Sequence, residues 1–172
     1  MDFQLIFTSA ELKPKEKTEQ LSAWVCANPM AVSLLIEFAS KSKDPVKATC
    51  MEALEFASRN HPDLAAENWF DFALAGLVEK APRIKWESAK VIGNIAGRFA
   101  DKLEPAIEAL IKQAGHEGTV VRWSAAFALG EIVKLKKADL GWLRNTLEQL
   151  AADEEKNSIQ KIYLSALKKS AG

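Results

Sequence analysis

Apolar and small residues recur at the spacing of a helical face through most of the chain, and strand-like alternation is nearly absent. One such stripe begins at Val121 and continues through Ala125, Ala128, Leu129 and Ile132. A helix with this spacing carries one apolar stripe, which has to be buried against another element. The pattern therefore predicts an all-α protein built from amphipathic helices.

The helical pattern also repeats along the chain. Similar segments start at Val46, Ile84, Val121 and Ile159, at intervals of 38, 37 and 38 residues. A further apolar stripe precedes each of them, so that each repeat contains two helices. A period of this length is typical of an α-solenoid. We predict a right-handed α-α superhelix of about four helix pairs, with second helices near residues 45–59, 82–98, 118–134 and 156–169.

Prolines and capping residues support this division. Three dipeptides place a proline where the first turn of a helix loses no hydrogen bond: Asn28-Pro29, Asp44-Pro45 and Ala81-Pro82. Asp101 and Asp139 are predicted to cap the first helices of the third and fourth pairs, and Glu104 completes a capping-box spacing. Residues 3–7 are compatible with a short strand, a loose arm or an added helical turn.

The ends of the repeat array set the expected domain organisation. Residues 1–27 are expected to form an N-terminal arm and a capping helix, and residues 28–172 the repeat solenoid. A solenoid needs such caps because its terminal repeats would otherwise expose apolar surface. The start of the chain lacks a basic region followed by a long apolar run, which favours a cytoplasmic protein with no membrane partner.

Charge and cysteine content narrow the functional classes. The chain has 23 basic and 23 acidic residues, so no overall charge attracts nucleic acid or anionic membranes. Residues 1–80 carry a net charge of −4 and residues 81–172 a net charge of +4, which predicts a gradient along an elongated molecule. Cys26 and Cys50 lie inside helical patterns and are interpreted as free thiols. No cofactor or metal site is predicted.

Two stretches, IKWESAKVIGNI at 84–95 and VRWSAAFALGEI at 121–132, resemble the second helix of HEAT repeats. The resemblance is to the short type of repeat found in phycobilin lyase subunits, and it covers about residues 28–170. The aspartate that this family often carries two residues before the repeat's lead apolar residue is present only as Asp44. The resemblance implies an armadillo-like solenoid whose second helices line a concave face. The family includes scaffolds, adaptors, lyase subunits and DNA-binding glycosylases.

The helical phase singles out residues on that face. Trp123 lies about 200° around the helix from Val121, away from the buried stripe, and Trp86 has the same phase in the preceding repeat. The predicted partner-binding groove consists of Trp86, Lys90, Asn94, Trp123, Phe127 and Glu131. Two exposed tryptophans in adjacent repeats would form an interaction surface. In the alternative interpretation, the indoles pack flat between neighbouring helices.

Basic residues near this face could add contacts to a partner. The candidates are Lys47, Lys85, Arg122, Lys134, Lys136 and Lys137. The alternative is that they form ion pairs between repeats, cap helix carbonyls or solvate a loop.

The chain shows no phosphate-binding glycine loop, nucleophile elbow or metal-ligand spacing. We therefore expect a non-enzymatic interaction module or adaptor that binds a protein or peptide along the concave face. One alternative is a nucleic-acid-binding protein resembling the HEAT-fold DNA alkylation-repair glycosylases, although Glu52, Glu87 and Glu131 intersperse the groove. Another is the accessory subunit of a lyase-type enzyme.

Overall fold

The computed structural model of the protein describes residues 1–137 and 140–170. In this part of the chain the regular structure consists of helices, and no strand occurs. The α-helices are α1 Phe3–Thr8, α2 Pro14–Ala27, α3 Val32–Ser40, α4 Asp44–Asn60, α5 Glu67–Leu77, α6 Pro82–Ile95, α7 Glu104–Ala114, α8 Thr119–Val133, α9 Gly141–Asp153 and α10 Asn157–Ser170. The predicted all-α fold is confirmed.

The helices pack as a solenoid of successive pairs. First and second helices pair as α3 with α4, α5 with α6, α7 with α8, and α9 with α10. The second helices also pack on one another in a continuous row, α2 on α4, α4 on α6, α6 on α8 and α8 on α10. Their bounds agree with the repeat analysis to within a few residues. The largest difference is at α6, whose α-helical part ends at Ile95 and is followed by a 3-10 turn, Ala96–Arg98, up to the predicted end.

The starts of the helices show which local signals decide the boundaries. Pro45 and Pro82 lie in the first turns of α4 and α6, as predicted. The prediction that Asp101 caps the third pair is wrong: α7 begins after Leu103, with no side-chain cap. Asp101 instead lies in a 3-10 turn, Ala100–Lys102, that delays the helix, and its carboxylate pairs with Lys137 of the next repeat. Asp139 lies outside the described residues.

The N-terminal segment, for which the sequence left three conformations open, is a helical turn. Asp2 caps α1 by accepting a hydrogen bond from the Leu5 backbone N–H at 3.2 Å. The Phe3 ring lies 5.0 Å from the Trp24 ring of α2 and 5.5 Å from the Phe38 ring of α3. This aromatic cluster fixes α1 on the first pair. The domain division at residue 27 stays a prediction.

A single apolar core runs along the whole stack, and it includes fully buried residues such as Trp69 and Leu129. Cys26 and Cys50 are free thiols, and burial raises the pKa of Cys50 to about 12. Among the described residues no single helix is long and apolar enough to cross a membrane. The segments Pro14–Ala27 and Pro29–Ser40, bent by 108°, pass that test only when taken together, by length and composition.

Candidate functional site

The outward side of the second-helix row is the surface on which the predicted groove residues lie. We call it the second-helix face. It is lined, from α4 to α10, by Glu52, Trp86, Lys90, Asn94, Trp123, Phe127, Glu131, Lys134, Lys161, Ser165 and Lys169. These positions recur three or four residues apart on the side of each helix opposite the apolar stripe. The repeat thus aligns their side chains across neighbouring helices.

Trp123 is the exposed aromatic residue of this face, with 41% of its surface accessible. Its indole stacks on the Phe127 ring of the same helix, with centroids 6.0 Å apart and planes inclined by 4°. Phe127 is held from below by α6, where a Cβ added at Gly93 would lie only 2.8 Å from Phe127 Cε1. The glycine therefore lets the phenyl ring sit against the neighbouring helix. Trp123 rests on an anchored support and presents its outer surface to solvent.

Trp86 has the same helical phase but a different environment. It is half-buried, and its indole N–H donates to Glu87 Oε1 at 2.6 Å. In the next repeat the residue after the tryptophan is Ser124, whose hydroxyl bonds to the backbone of its own helix instead. Trp86 is thus held partly by packing and partly by its hydrogen bond, whereas Trp123 is more exposed and stacks on the Phe127 ring.

Two buried carboxylates lie beneath the middle of the face. Glu55 of α4 and Glu87 of α6 are each only 3% exposed. Lys90 Nζ lies 2.8 Å from Glu87 Oε2 and 3.5 Å from Glu55 Oε2, and Arg59 binds Glu55 at 2.6 Å. Burial raises the pKa of Glu87, against the opposing effects of Lys90 and Trp86. Lys90 is therefore committed to neutralising these carboxylates.

The same pattern of internal pairing continues toward the N-terminus. Asn94 Nδ2 donates across the helix boundary to the Glu55 backbone carbonyl at 3.4 Å. Glu52 accepts from Arg83 at 2.9 Å and from the Thr18 hydroxyl at 2.7 Å. Each contact joins neighbouring second helices. Charge on this half of the face is therefore balanced within the protein and also stabilises the stack.

Several of the predicted basic contacts join repeats. Lys47 of α4 pairs with Glu79, which precedes α6, at 2.8 Å. Arg122 of α8 contacts Glu154, which precedes α10, through Nε at 3.0 Å, and also donates to the carbonyls of the turn before α8. Burial opposes ionisation of Glu154, but Arg122 and backbone donation from Lys156 outweigh it and hold the pKa below its ordinary value. These contacts support the alternative interpretation, in which the basic residues form ion pairs between repeats rather than contacts to a partner.

The remaining basic candidates lie in the first turn of α6 and directly after α8. Lys134 pairs with Glu131 on the same helix, and Lys137 pairs with Asp101. Lys136 is exposed and adopts a left-handed backbone conformation, with φ of 54°. Lys85 is half-buried in the first turn of α6. The structure thus distributes the six basic candidates over several separate places rather than in one patch.

A cavity of about 290 Å³ opens between α8 and α10 on the second-helix face. The two helices approach each other closely at its floor, where a Cβ added at Gly130 would lie 3.0 Å from Ala166 Cβ. Its rim includes Lys161 and Lys169, which the sequence analysis did not single out. The signal was present: Lys161 follows its lead apolar residue by two positions, as Trp86 and Trp123 do.

A larger cavity, of about 430 Å³, lies away from this face among the turns before α8 and α10. Its lining contains Arg122, Tyr163 and several carboxylates, and the arginine is already bound to Glu154. Within residues 1–137 and 140–170, no three His, Cys, Asp or Glu side chains come together in a way that could hold a metal ion.

No protein-family model and no curated protein sequence matches this chain. Solved structures do match it. A designed armadillo repeat protein in complex with the peptide (KR)4 superposes with a TM-score of 0.74 at 17% identity, over 98% of this chain and 80% of that one. The complex of CpcE and CpcF of phycocyanin lyase from Nostoc sp. PCC7120 gives 0.72 at 19% identity, over 95% of each chain.

A computationally designed armadillo repeat protein for modular peptide recognition gives a TM-score of 0.71 at 17% identity, over 97% of this chain and 79% of that one. All these matches extend over nearly the whole chain. The fold is therefore that of armadillo- and HEAT-like repeat solenoids, which confirms the predicted fold class. At these identities the likeness concerns the fold alone.

Proposed function

We propose that this protein is a non-catalytic binding module that holds a peptide, or a segment of a partner protein, along its second-helix face. The observation that carries the proposal is the Trp123–Phe127 stack. An exposed indole that is already fixed by a ring beneath it loses little conformational freedom on binding. Tryptophans are also the side chains that most often dominate interface energetics.

The solved neighbours support the same class of function. One of them binds a peptide, and another is half of a complex between two protein subunits. Repeat solenoids present an extended row of helices, which suits partners that are long and narrow. The charged groups in the middle of the face also support a binding function. Glu87 and Lys90 pair with each other and do not face open space. Binding, rather than catalysis, is what this arrangement supports.

The test is a selection of peptides from a random library on the immobilised wild-type protein, followed by binding curves for the enriched sequences. Trp123→Ala should weaken binding by about thirtyfold or more, the effect of losing a central interface tryptophan. It should lower the free energy of unfolding by only about 1–2 kcal/mol, because it removes one ring stack and a partly exposed side chain.

Trp142 provides the matched control. It is exposed to a similar degree, 46%, but lies on the first helix α9. Trp142→Ala should leave the affinity unchanged. Equal losses in both variants, or a Trp123→Ala protein that is unstable yet binds normally, would show that the second-helix face is not the binding surface.

A further inference from the structure

The C-terminal section of the second-helix face differs in charge from the rest. The cavity between α8 and α10 is rimmed by Lys134, Lys161 and Lys169, and among the described residues Glu131 is the one carboxylate in its lining. Lys134 pairs with Glu131. Lys161 and Lys169 are exposed and form no ion pair with any residue of the described chain. As far as the described residues go, two ammonium groups without an ion pair therefore flank this cavity.

The floor of the same cavity is apolar. It is formed by the Phe127 ring, Ile162 and the closely packed Gly130 and Ala166. Its volume of about 290 Å³ is at the lower limit for small-molecule sites and is suited to a single side chain of a larger partner. The exposed face of Trp123 lies next to it through the Phe127 stack. An apolar floor with a cationic rim selects a ligand that is apolar at one point and anionic around it.

The N-terminal section offers no comparable charge. There Glu52 is paired with Arg83, and Glu87 with Lys90. An anionic partner would therefore gain more attraction at the α8–α10 end than along the rest of the face. The gradient of net charge between the two halves of the sequence has the same direction.

We infer that the α8–α10 section of the face binds an acidic peptide segment, and this inference rests on the proposed function. An apolar or aromatic side chain of the segment fills the cavity, and its carboxylates lie beside Lys161 and Lys169. A peptide fits better than a nucleic acid, because two free lysines are far fewer than the cations that neutralise a phosphate backbone.

Fluorescein-labelled peptides of about ten residues test this inference. One alternates glutamate with leucine and phenylalanine, and its two counterparts carry glutamine or lysine in place of every glutamate. Wild-type protein should bind the glutamate peptide about tenfold more tightly than the glutamine peptide, and the lysine peptide more weakly still. The advantage of the glutamate peptide should shrink as salt is added.

The double variant Lys161→Glu/Lys169→Glu should lose about tenfold or more in affinity for the glutamate peptide and should gain affinity for the lysine peptide. The control is Lys43→Glu/Lys80→Glu, which changes the net charge equally. Lys43 and Lys80 are exposed in the turns before α4 and α6, and neither of them lines the cavity. This control should bind like wild type.

The outcomes separate the two proposals. If library peptides bind and depend on Trp123, but the glutamate peptide has no advantage or both double variants respond alike, the charge inference is overturned and the binding function stands. If no peptide binds at all, both are overturned. An oligonucleotide that binds the wild type more tightly than the glutamate peptide, and loses this in Lys161→Glu/Lys169→Glu, would assign the cationic rim to nucleic acid and refute the inference.

Discussion

The contact between α6 and α8 passes through Gly93, and replacing this glycine by alanine tests how tightly the two helices are packed. A Cβ at position 93 would lie 2.8 Å from Phe127 Cε1 and 3.0 Å from Ala128 Cα. The phenyl ring can tilt, but the Ala128 backbone cannot move alone. Relief of the overlap therefore requires a shift of α8 against α6.

Two effects of opposite sign determine the result. Alanine is favoured over glycine in a helix interior by about 1 kcal/mol. Inserting a methyl group into a closely packed contact costs about 1–3 kcal/mol. Because α8 also packs against α7 and α10, it has little freedom to move away. We expect overpacking to outweigh propensity, so that Gly93→Ala lowers the free energy of unfolding by up to about 2 kcal/mol.

The assay is chemical denaturation followed by far-UV circular dichroism, with Gly97→Ala as the control. At Gly97 the nearest side-chain atom to an added Cβ would be Leu135 Cδ2 at 3.8 Å, which is ordinary van der Waals contact. That variant should be as stable as wild type or slightly more stable. If Gly93→Ala is also more stable than wild type, the close approach of α6 to α8 is refuted, and with it the support for Phe127.

Three further changes probe the core and the buried charges. Leu129→Ala should cost about 2–5 kcal/mol in thermal or chemical unfolding, because Leu129 is fully buried; a loss below about 0.5 kcal/mol would contradict the helix phase. Burial raises the pKa of Glu87, so wild-type protein should lose stability relative to Glu87→Gln as the pH rises above the ordinary glutamate pKa of about 4.3. If the wild-type protein instead gained stability relative to Glu87→Gln, the pKa of Glu87 would be lowered rather than raised. Arg122→Ala leaves Glu154 unpaired and should cost about 2 kcal/mol or more near neutral pH. That difference should shrink as acid protonates Glu154 through its lowered pKa, and a difference independent of pH would exclude the ion pair as its source.

The helix pairs can be predicted from the sequence because the signals that determine them are local. The apolar spacing and the prolines at 45 and 82 each act within one helix. The structure has Pro45 and Pro82 in the first turns of α4 and α6 and buries the apolar stripes of both helices. The conformation of residues 3–7 was ambiguous because their short apolar run fits both the helical period of about 3.6 residues and the strand period of two. Burial of Phe3 beside Trp24, with Leu5 left exposed, depends on partners farther along the chain.

The predicted groove residues share a helix face, as their phase required, but their surroundings depend on neighbouring repeats. Trp86 and Trp123 are equivalent in sequence phase, and only the structure shows that Trp86 bonds to Glu87 whereas Trp123 stays exposed. Asp101 failed as a cap because the 3-10 turn Ala100–Lys102 delays the start of α7 until after Leu103, and its carboxylate pairs with Lys137 of the following repeat instead. Contacts between repeats are not encoded in the local pattern that sequence analysis uses.

Hydroxyl-radical footprinting of the protein with a library-selected peptide shows whether the peptide binds along the second-helix face. Trp123 and Phe127 should be oxidised more slowly when the peptide is present, since the peptide covers their stack. Trp142, equally accessible in the free protein but located on α9, should be oxidised at the same rate with and without peptide. Protection of Trp142 with no change at Trp123 would show that the peptide binds elsewhere than on the second-helix face.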